Sequence, residues 1–176
     1  MKEILVITQK DIDPTYTENG DVDYKIRHAT RAVLSDTNGK VVLLHSTAHN
    51  YYKLPGGGVE PGEDTLVALA RELLEEVGAV AEVTGEVGRT QEWRVNTDGS
   101  GLHQISEAFT ARVAGQIGKP ELTDEERREG FEVVWADDIS HALALFSTGL
   151  EKLDPRRKFM TLRDKSILNE VRSNTL

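Results

Sequence analysis

The chain has 176 residues, 38% of them hydrophobic and 29% charged, with a formal net charge of −9. That length and balance fit one globular domain with a proper core. The acidity argues against non-specific binding to nucleic acid. With no cysteine present, disulfides, a thiolate nucleophile and a cysteine zinc site are excluded. No apolar run is long enough to span a bilayer, so no membrane association is expected and the cytoplasm is the expected compartment.

In chain order, the apolar run 4–8 reads as a strand, and 11–23, rich in Asp, Pro, Thr, Asn and Gly, as a loop or hairpin extension. Residues 29–34 and 41–45 are predicted strands around Asp36-Thr37-Asn38-Gly39, where Asn-Gly is a hairpin signal. Residues 46–52 lead through Lys53-Leu54-Pro55 into a glycine loop. Leu66, Leu69, Ala70, Leu73 and Val77 follow the helical period and predict a helix over 64–77. Segments 80–87, 89–95 and 106–113 are predicted strands, with 96–101 a polar loop between the last two. Residues 119–130 are charged and read as a loop or short turn. A strand at 131–136, a helix at 139–146 and a helical tail over 154–176, basic at its start, complete the chain. The expected organisation is a single domain over 1–176. Within it, 1–26 form an N-terminal strand and extension, and 147–176 a C-terminal helical tail.

The most informative stretch carries Gly57, Glu63, Arg71, Glu72, Leu73, Glu75, Glu76, Gly78 and Ala79 at fixed spacing. At about 100° per residue, Glu72 and Glu76 stand nearly above one another, and Glu75 lies beside them. Like charges so placed destabilise a helix by roughly 0.2–0.5 kcal/mol per pair. A divalent cation reverses that sign. Hard cations such as Mg²⁺ take carboxylate oxygens together with water and substrate phosphate, so the face reads as a Mg²⁺–phosphate site. A solvated acidic face would also explain Glu75 and Glu76. It would not explain Leu54-Pro55-Gly56-Gly57-Gly58 before the helix, or Pro61-Gly62 between them.

This spacing matches the Nudix box. From about Arg27 to Phe146 the chain resembles the Nudix hydrolases, in particular small bacterial members of the nucleoside-triphosphate type. Every polar position of the pattern is filled; Ala79 stands where a larger aliphatic residue is usual, which affects packing rather than chemistry. The resemblance implies an α/β fold, a Nudix-type α/β/α sandwich with a mixed sheet. It implies Mg²⁺, with Mn²⁺ as a substitute, held by Glu72, Glu75, Glu76 and the backbone carbonyl of Gly57. It implies a catalytic set of Glu72, Glu75 and Arg71, in which Arg71 orients the carboxylates. The implied reaction is hydrolysis of a diphosphate linkage in a nucleoside diphosphate linked to another moiety, such as a nucleoside triphosphate or an oxidised nucleotide. Activated water is the nucleophile and no covalent intermediate is needed. The alternative is a non-catalytic Nudix-fold module that senses a nucleotide. Such modules usually have a degraded box and an attached DNA-binding segment, whereas this box is intact and the basic patch Arg156-Arg157-Lys158 is short. Isomerase chemistry in the same fold relies on a cysteine that this chain lacks.

Outside the box the candidates are less sharply defined. Gly56 and Gly58, with Gly57, let the backbone approach a ligand. Tyr51, Tyr52 and Trp93 are candidates for stacking on a base. Lys53, Arg89 and Arg94 are candidates for neutralising phosphate, as are Arg27 and Arg31. A general base beyond the box is common in the family and is sought at Glu107 on a predicted strand, or among Glu125, Glu126 and Glu129. The histidines show no metal-ligand spacing, so no catalytic role is expected for them. The expected partner is a small-molecule nucleoside diphosphate derivative; a homodimer is left open.

Overall fold

A computed structural model describes residues 1–17 and 20–174. Its strands are β1 (Glu3–Thr8), β2 (Tyr24–Ser35), β3 (Val41–Ser46), β4 (Tyr51–Lys53), β5 (Ala81–Val95), β6 (Gly101–Val113) and β7 (Phe131–Ala136). They form one mixed sheet in the order β1-β5-β6-β2-β3-β4, with β7 paired to β3. The pairs β1–β5 and β2–β6 are parallel, and the others are antiparallel. The predicted turn between β2 and β3 forms: Asp36 accepts hydrogen bonds from the backbone of Asn38 (2.8 Å) and Lys40 (2.9 Å).

Alternation along the strands divides the core in two. One sheet face carries Ala32, Leu34, Val42, Leu44, Phe109 and Ala111, covered by Leu69, Leu73 and Val77 of α2 (Thr65–Val77). The other carries Val33, Val41, Leu43 and Ala108. It is covered by α4 (Ile139–Ser147) and α5 (Pro155–Asn174) through Ala142, Leu143, Phe146, Ile167 and Leu168. Helices on both faces of a mixed sheet make the α/β/α sandwich.

Several element boundaries differ from the sequence reading. Strands β2 and β6 begin at Tyr24 and Gly101, earlier than 29 and 106, because they pair in unbroken register from Tyr24↔Gly101 to Ser35↔Arg112. That long-range pairing recruits polar stretches whose composition alone reads as loop. The two strands predicted at 80–87 and 89–95 are one strand, β5, with register shifts between Val83/Gly85 and Glu86/Gly88. At Gly88 a Cβ would come within 2.8 Å of the Lys2 carbonyl, so β1 passes too close for a side chain. The predicted loop 11–23 overlaps the end of a short helix, α1 (Gln9–Ile12). Residues 119–130 contain α3 (Asp124–Glu129), started by a capping box between Thr123 and Glu126. Glu18 and Asn19 of the predicted loop, and Thr175 and Leu176 of the tail, lie outside the described residues. Among the described residues no helix is long and apolar enough to cross a membrane.

Candidate functional site

Helix α2 starts and stops where its sequence directs. The Asp64 side chain accepts from the backbone N–H groups of Leu66 (2.9 Å) and Val67 (3.3 Å). Gly78 ends the helix in the left-handed conformation at φ 73°. Before the helix, residues 55–59 run beside β2: the backbone of Thr30 donates to Gly57 O (2.9 Å), Ala32 to Pro55 O (3.0 Å), and Val59 to His28 O (3.0 Å). A Cβ at Gly56 would strike the Thr30 carbonyl, and one at Gly57 would overlap the Glu72 carboxylate. The glycines therefore allow the loop to press against β2 on one side and the helix carboxylates on the other.

Arg71 organises the outer carboxylates. Its Nε and Nη2 donate to the two oxygens of Glu63, each at 3.0 Å, a bidentate pair. Nη1 reaches Glu72 Oε1 at 2.9 Å and Glu75 Oε2 at 3.3 Å, and Nη2 also donates to Gly58 O at 3.0 Å. Hydrogen bonding to Glu63 raises the Arg71 pKa, so it stays protonated. Glu76 meets the same loop one residue earlier, at Gly56, and not Arg71. It is 2% exposed, accepts from Lys53 Nζ at 2.7 Å and from the Gly56 N–H at 2.6 Å. Burial pushes its carboxyl up to about 7 against the opposing pull of Lys53.

The predicted ligand trio Glu72, Glu75 and Glu76 thus lies at one end of the site, but each member is held by a cation of the chain itself. Among the described residues no three His, Cys, Asp or Glu side chains form a ready-made metal cage. Gly57, predicted to lend its carbonyl to a metal, turns that carbonyl to the Thr30 N–H and toward Arg31 Nη1 at 3.4 Å. The absence of a side chain at Gly57 also leaves room for the Glu72 carboxylate.

Of the predicted residues beyond the box, Lys53 and Glu126 join the site. Lys53 Nζ lies 4.0 Å from Glu126 and 4.5 Å over the Phe131 ring. Burial raises the Glu126 carboxyl, but the Thr123 N–H and hydroxyl, together with Lys53, outweigh it and hold its pKa low. Glu129 is committed to Arg157 at 2.8 and 3.1 Å. Glu107 sits on β6 opposite Thr30 and Arg89. Gly58 faces the Arg27 guanidinium. Tyr51 is buried against the Phe131 edge and under Arg157, so its ring is not free to stack on a base. Tyr52 stacks on His45. Trp93 lies on the α2 side of the sheet, stacked on His103 at 3.7 Å. Arg94 alternates to the opposite side, where it is buried, pairs with Glu92 and lies 5.3 Å over Phe159. It is thereby separated from the box.

A buried polar cluster behind the glycine loop is what the sequence reading missed. Asp164 Oδ2 accepts from the Leu54 N–H at 2.8 Å, and Asp164 Oδ1 from Arg163 Nε at 2.6 Å. Arg163 Nη1 donates to Glu92 Oε1 at 3.1 Å, which also accepts from Gln104 Nε2 at 3.1 Å. Arg31 Nη1 adds a bond to the Thr30 carbonyl at 2.7 Å. The available signal was position: Arg163-Asp164 stand at helical spacing on the stripe of Phe159, Ile167 and Leu168 in α5, and Arg31 directly precedes the apolar run Ala32-Val33-Leu34 of β2.

The NUDIX domain family model matches residues 25–154. The chain belongs to the Nudix family. Curated relatives of this Nudix chain include an RNA pyrophosphohydrolase of Acinetobacter baylyi, 38% identical over 61 residues, and one of Psychrobacter cryohalolentis, 36% identical over 61. These matches span 35% of this chain and only 37% and 35% of the two relatives. Among solved structures, the MutT protein from Methanosarcina mazei Go1 superposes with a TM-score of 0.56 at 15% identity, over 89% of this chain and 100% of that one. A NUDIX hydrolase from Nitrosomonas europaea gives a TM-score of 0.59 at 19% identity, over 85% and 90%. At these identities the likeness concerns the fold, the Nudix α/β/α sandwich.

Proposed function

We propose that the protein is a Mg²⁺-dependent diphosphohydrolase that cleaves a diphosphate linkage in a nucleoside diphosphate bearing another moiety, with nucleoside triphosphates and oxidised nucleotides as the first substrate class. The observation that carries the reading is the complete box, whose carboxylates meet the glycine loop and the Lys53–Glu126 pair at one end of α2.

The donor set fits a hard cation. It is all oxygen, and the buried Glu76 carboxylate has a single ionic partner, too little to keep its pKa in the ordinary range. Glu72, Glu75 and Glu76 would hold Mg²⁺, or Mn²⁺ in its place. The ion would supply Lewis acidity that makes a bound water more acidic and would screen the diphosphate charge. The chain's own residues do the remainder. Arg71 holds Glu72 and Glu75 toward the loop. Lys53 presents a positive charge at the inner end. Glu126, kept ionised by Thr123 and Lys53 and beside Lys53 at 4.0 Å, is the candidate to accept a proton from the attacking water.

Two curated relatives are named RNA pyrophosphohydrolases, so a triphosphate at an RNA end is the second reading. The net charge of −9 weighs against a long nucleic-acid footprint. The test is release of phosphate or pyrophosphate from a panel of nucleoside triphosphates, ADP-ribose, sugar nucleotides, dinucleoside polyphosphates and a 5′-triphosphorylated RNA oligonucleotide. Activity is expected to vanish in chelator and return with Mg²⁺ or Mn²⁺. Glu75→Gln and Glu76→Gln are each expected to stay folded and lose most activity. Undiminished turnover in chelator would sink the mechanism.

A further inference from the structure

We infer that the N-terminal extension and Trp93 build a pocket for the flat heterocycle of a nucleotide, an inference that rests on the nucleotide-directed reading above. A cavity of about 470 Å³ opens between β1, α1, the following loop and the sheet, lined by Thr8, Gln9, Lys10, Tyr16, Tyr24 and Trp93. That volume is within the range of small-molecule sites, which combine aromatic walls with a few polar groups.

The aromatic wall is fixed before any ligand arrives. Trp93 stacks on His103 at 3.7 Å and 13°, and meets Tyr24 edge-on at 4.9 Å. The His103 ring is in turn held by Gln91 Oε1 at 2.8 Å from its Nε2. Gln9 is anchored by accepting from the Val95 N–H at 3.3 Å. Lys10 adds a cation to the lining, and the Thr8 hydroxyl, which donates to Asp11 Oδ2 at 2.8 Å, keeps its oxygen as an acceptor.

Register places this wall on the box side of the sheet. Trp93 pairs with His103, whose face continues along β6 through Ile105 and Glu107 to Phe109, under α2. Glu107 lies opposite Thr30, the residue that donates to the Gly57 carbonyl. From His103 to Glu107 the strand advances about 13 Å. Between the two ends the sheet face is left bare, with Ile26 65% exposed. A nucleotide lying along this strip would put its base against Trp93 and its phosphates at the carboxylates. The family match begins at residue 25, so every lining residue but Trp93 precedes it. The pocket therefore lies largely outside the residues that the family model matches, suited to selecting the substrate rather than to the shared chemistry.

The full-length protein, labelled with ¹⁵N, would be titrated in chelator with AMP, GMP, CMP and UMP, and with ribose 5-phosphate as the control lacking a base. Trp93→Phe assigns the Trp93 indole N–H signal against that of Trp135. At least one mononucleotide is expected to move the Trp93 indole signal saturably, and ribose 5-phosphate to leave it in place. Loss of base contact in Trp93→Ala is expected to raise KM for the best nucleotide substrate about 5- to 150-fold, with kcat less affected. Tyr16→Ala, at the pocket mouth and outside the core, is expected to raise KM in the same sense, and it stands in should Trp93→Ala fail to fold. If nucleotides are hydrolysed but the indole signal stays fixed, or Tyr16→Ala leaves every KM within twofold, the pocket assignment is overturned and the hydrolase reading stands. If no nucleotide is hydrolysed yet the indole signal moves, the pocket stands and the hydrolase reading falls. Neither response overturns both.

Discussion

Glu76 is a carboxylate buried beside a lysine, and its raised pKa makes the metal-free protein sensitive to pH. Its folded-state pKa of about 7 lies above the ordinary 4.5. The folded protein therefore binds a proton more tightly than the unfolded chain. The associated stability is full below the ordinary value and is lost as pH rises toward 7. That interval corresponds to on the order of 3 kcal/mol. In chelator, the stability of wild type relative to Glu76→Gln is expected to fall between pH 4.5 and 7 and to level off above. Urea titrations at several pH values check it; a pH-independent difference would show that Glu76 ionises freely. At this scale the box residues were legible because fixed spacing on one helix places them without knowledge of the fold. Tyr51 and Arg94 were not, because strand alternation and long-range packing decide which side of the sheet a residue faces. Arg31, read as a candidate for neutralising phosphate, is buried and reaches the Gly57 carbonyl instead, and Glu92 and Arg163-Asp164 were illegible for the same reason: the contacts that hold them, from Arg163 to Glu92 and from Leu54 to Asp164, cross between elements.

Helix α2 shows what is legible in an element. An Asp before it, an apolar stripe at helical spacing and a Gly after it are local signals, and the helix spans Thr65–Val77 as they indicate. The short helix α3 carried an equally local signal, Thr123 and Glu126 three residues apart, beneath a charged composition that reads as loop. β5 defeats local reading because Gly88, which looks like a break between strands, is a bulge made to admit β1. Gly78 has a second duty beyond ending α2. A Cβ there would lie 2.6 Å from the Gly118 carbonyl, where Gly118 donates its own N–H to Gly78 O at 2.8 Å. Gly78→Ala is expected to cost about 1–2 kcal/mol from the left-handed backbone alone, and more from displacing the 118–121 segment. Denaturant unfolding with an unchanged slope measures it. A loss no larger than about 1–2 kcal/mol would mean that the segment yields easily, and a smaller one would overturn the backbone argument as well.

At the scale of the whole molecule, the sandwich was legible from the order of strands and helices together with the box, while sheet order and register were not. The acidic surface has a consequence for stability. A divalent cation that binds only the native state stabilises it by about 2.7 kcal/mol at one hundred times its Kd, roughly 5–10 °C for a chain of this length. Thermal unfolding of wild type is expected to shift upward with Mg²⁺ by an amount of that order. The shift should shrink in the Glu75→Gln/Glu76→Gln double variant. An equal response in the two proteins would place the ion elsewhere.

The bond from Leu54 to Asp164 sets a limit on how the chain can be cut. The family match ends at residue 154, yet the amide that leads into the glycine loop is satisfied by a side chain ten residues further on, in α5. Removing α5 would strip Leu54 of its acceptor and leave Glu92, otherwise fully buried, without Arg163. A minimal domain defined by family boundaries would therefore have an intact box behind an unsupported loop. The C-terminal helix is better regarded as the back wall of the site than as a tail, and a proteolytic nick ahead of it would act as an off-switch at a distance.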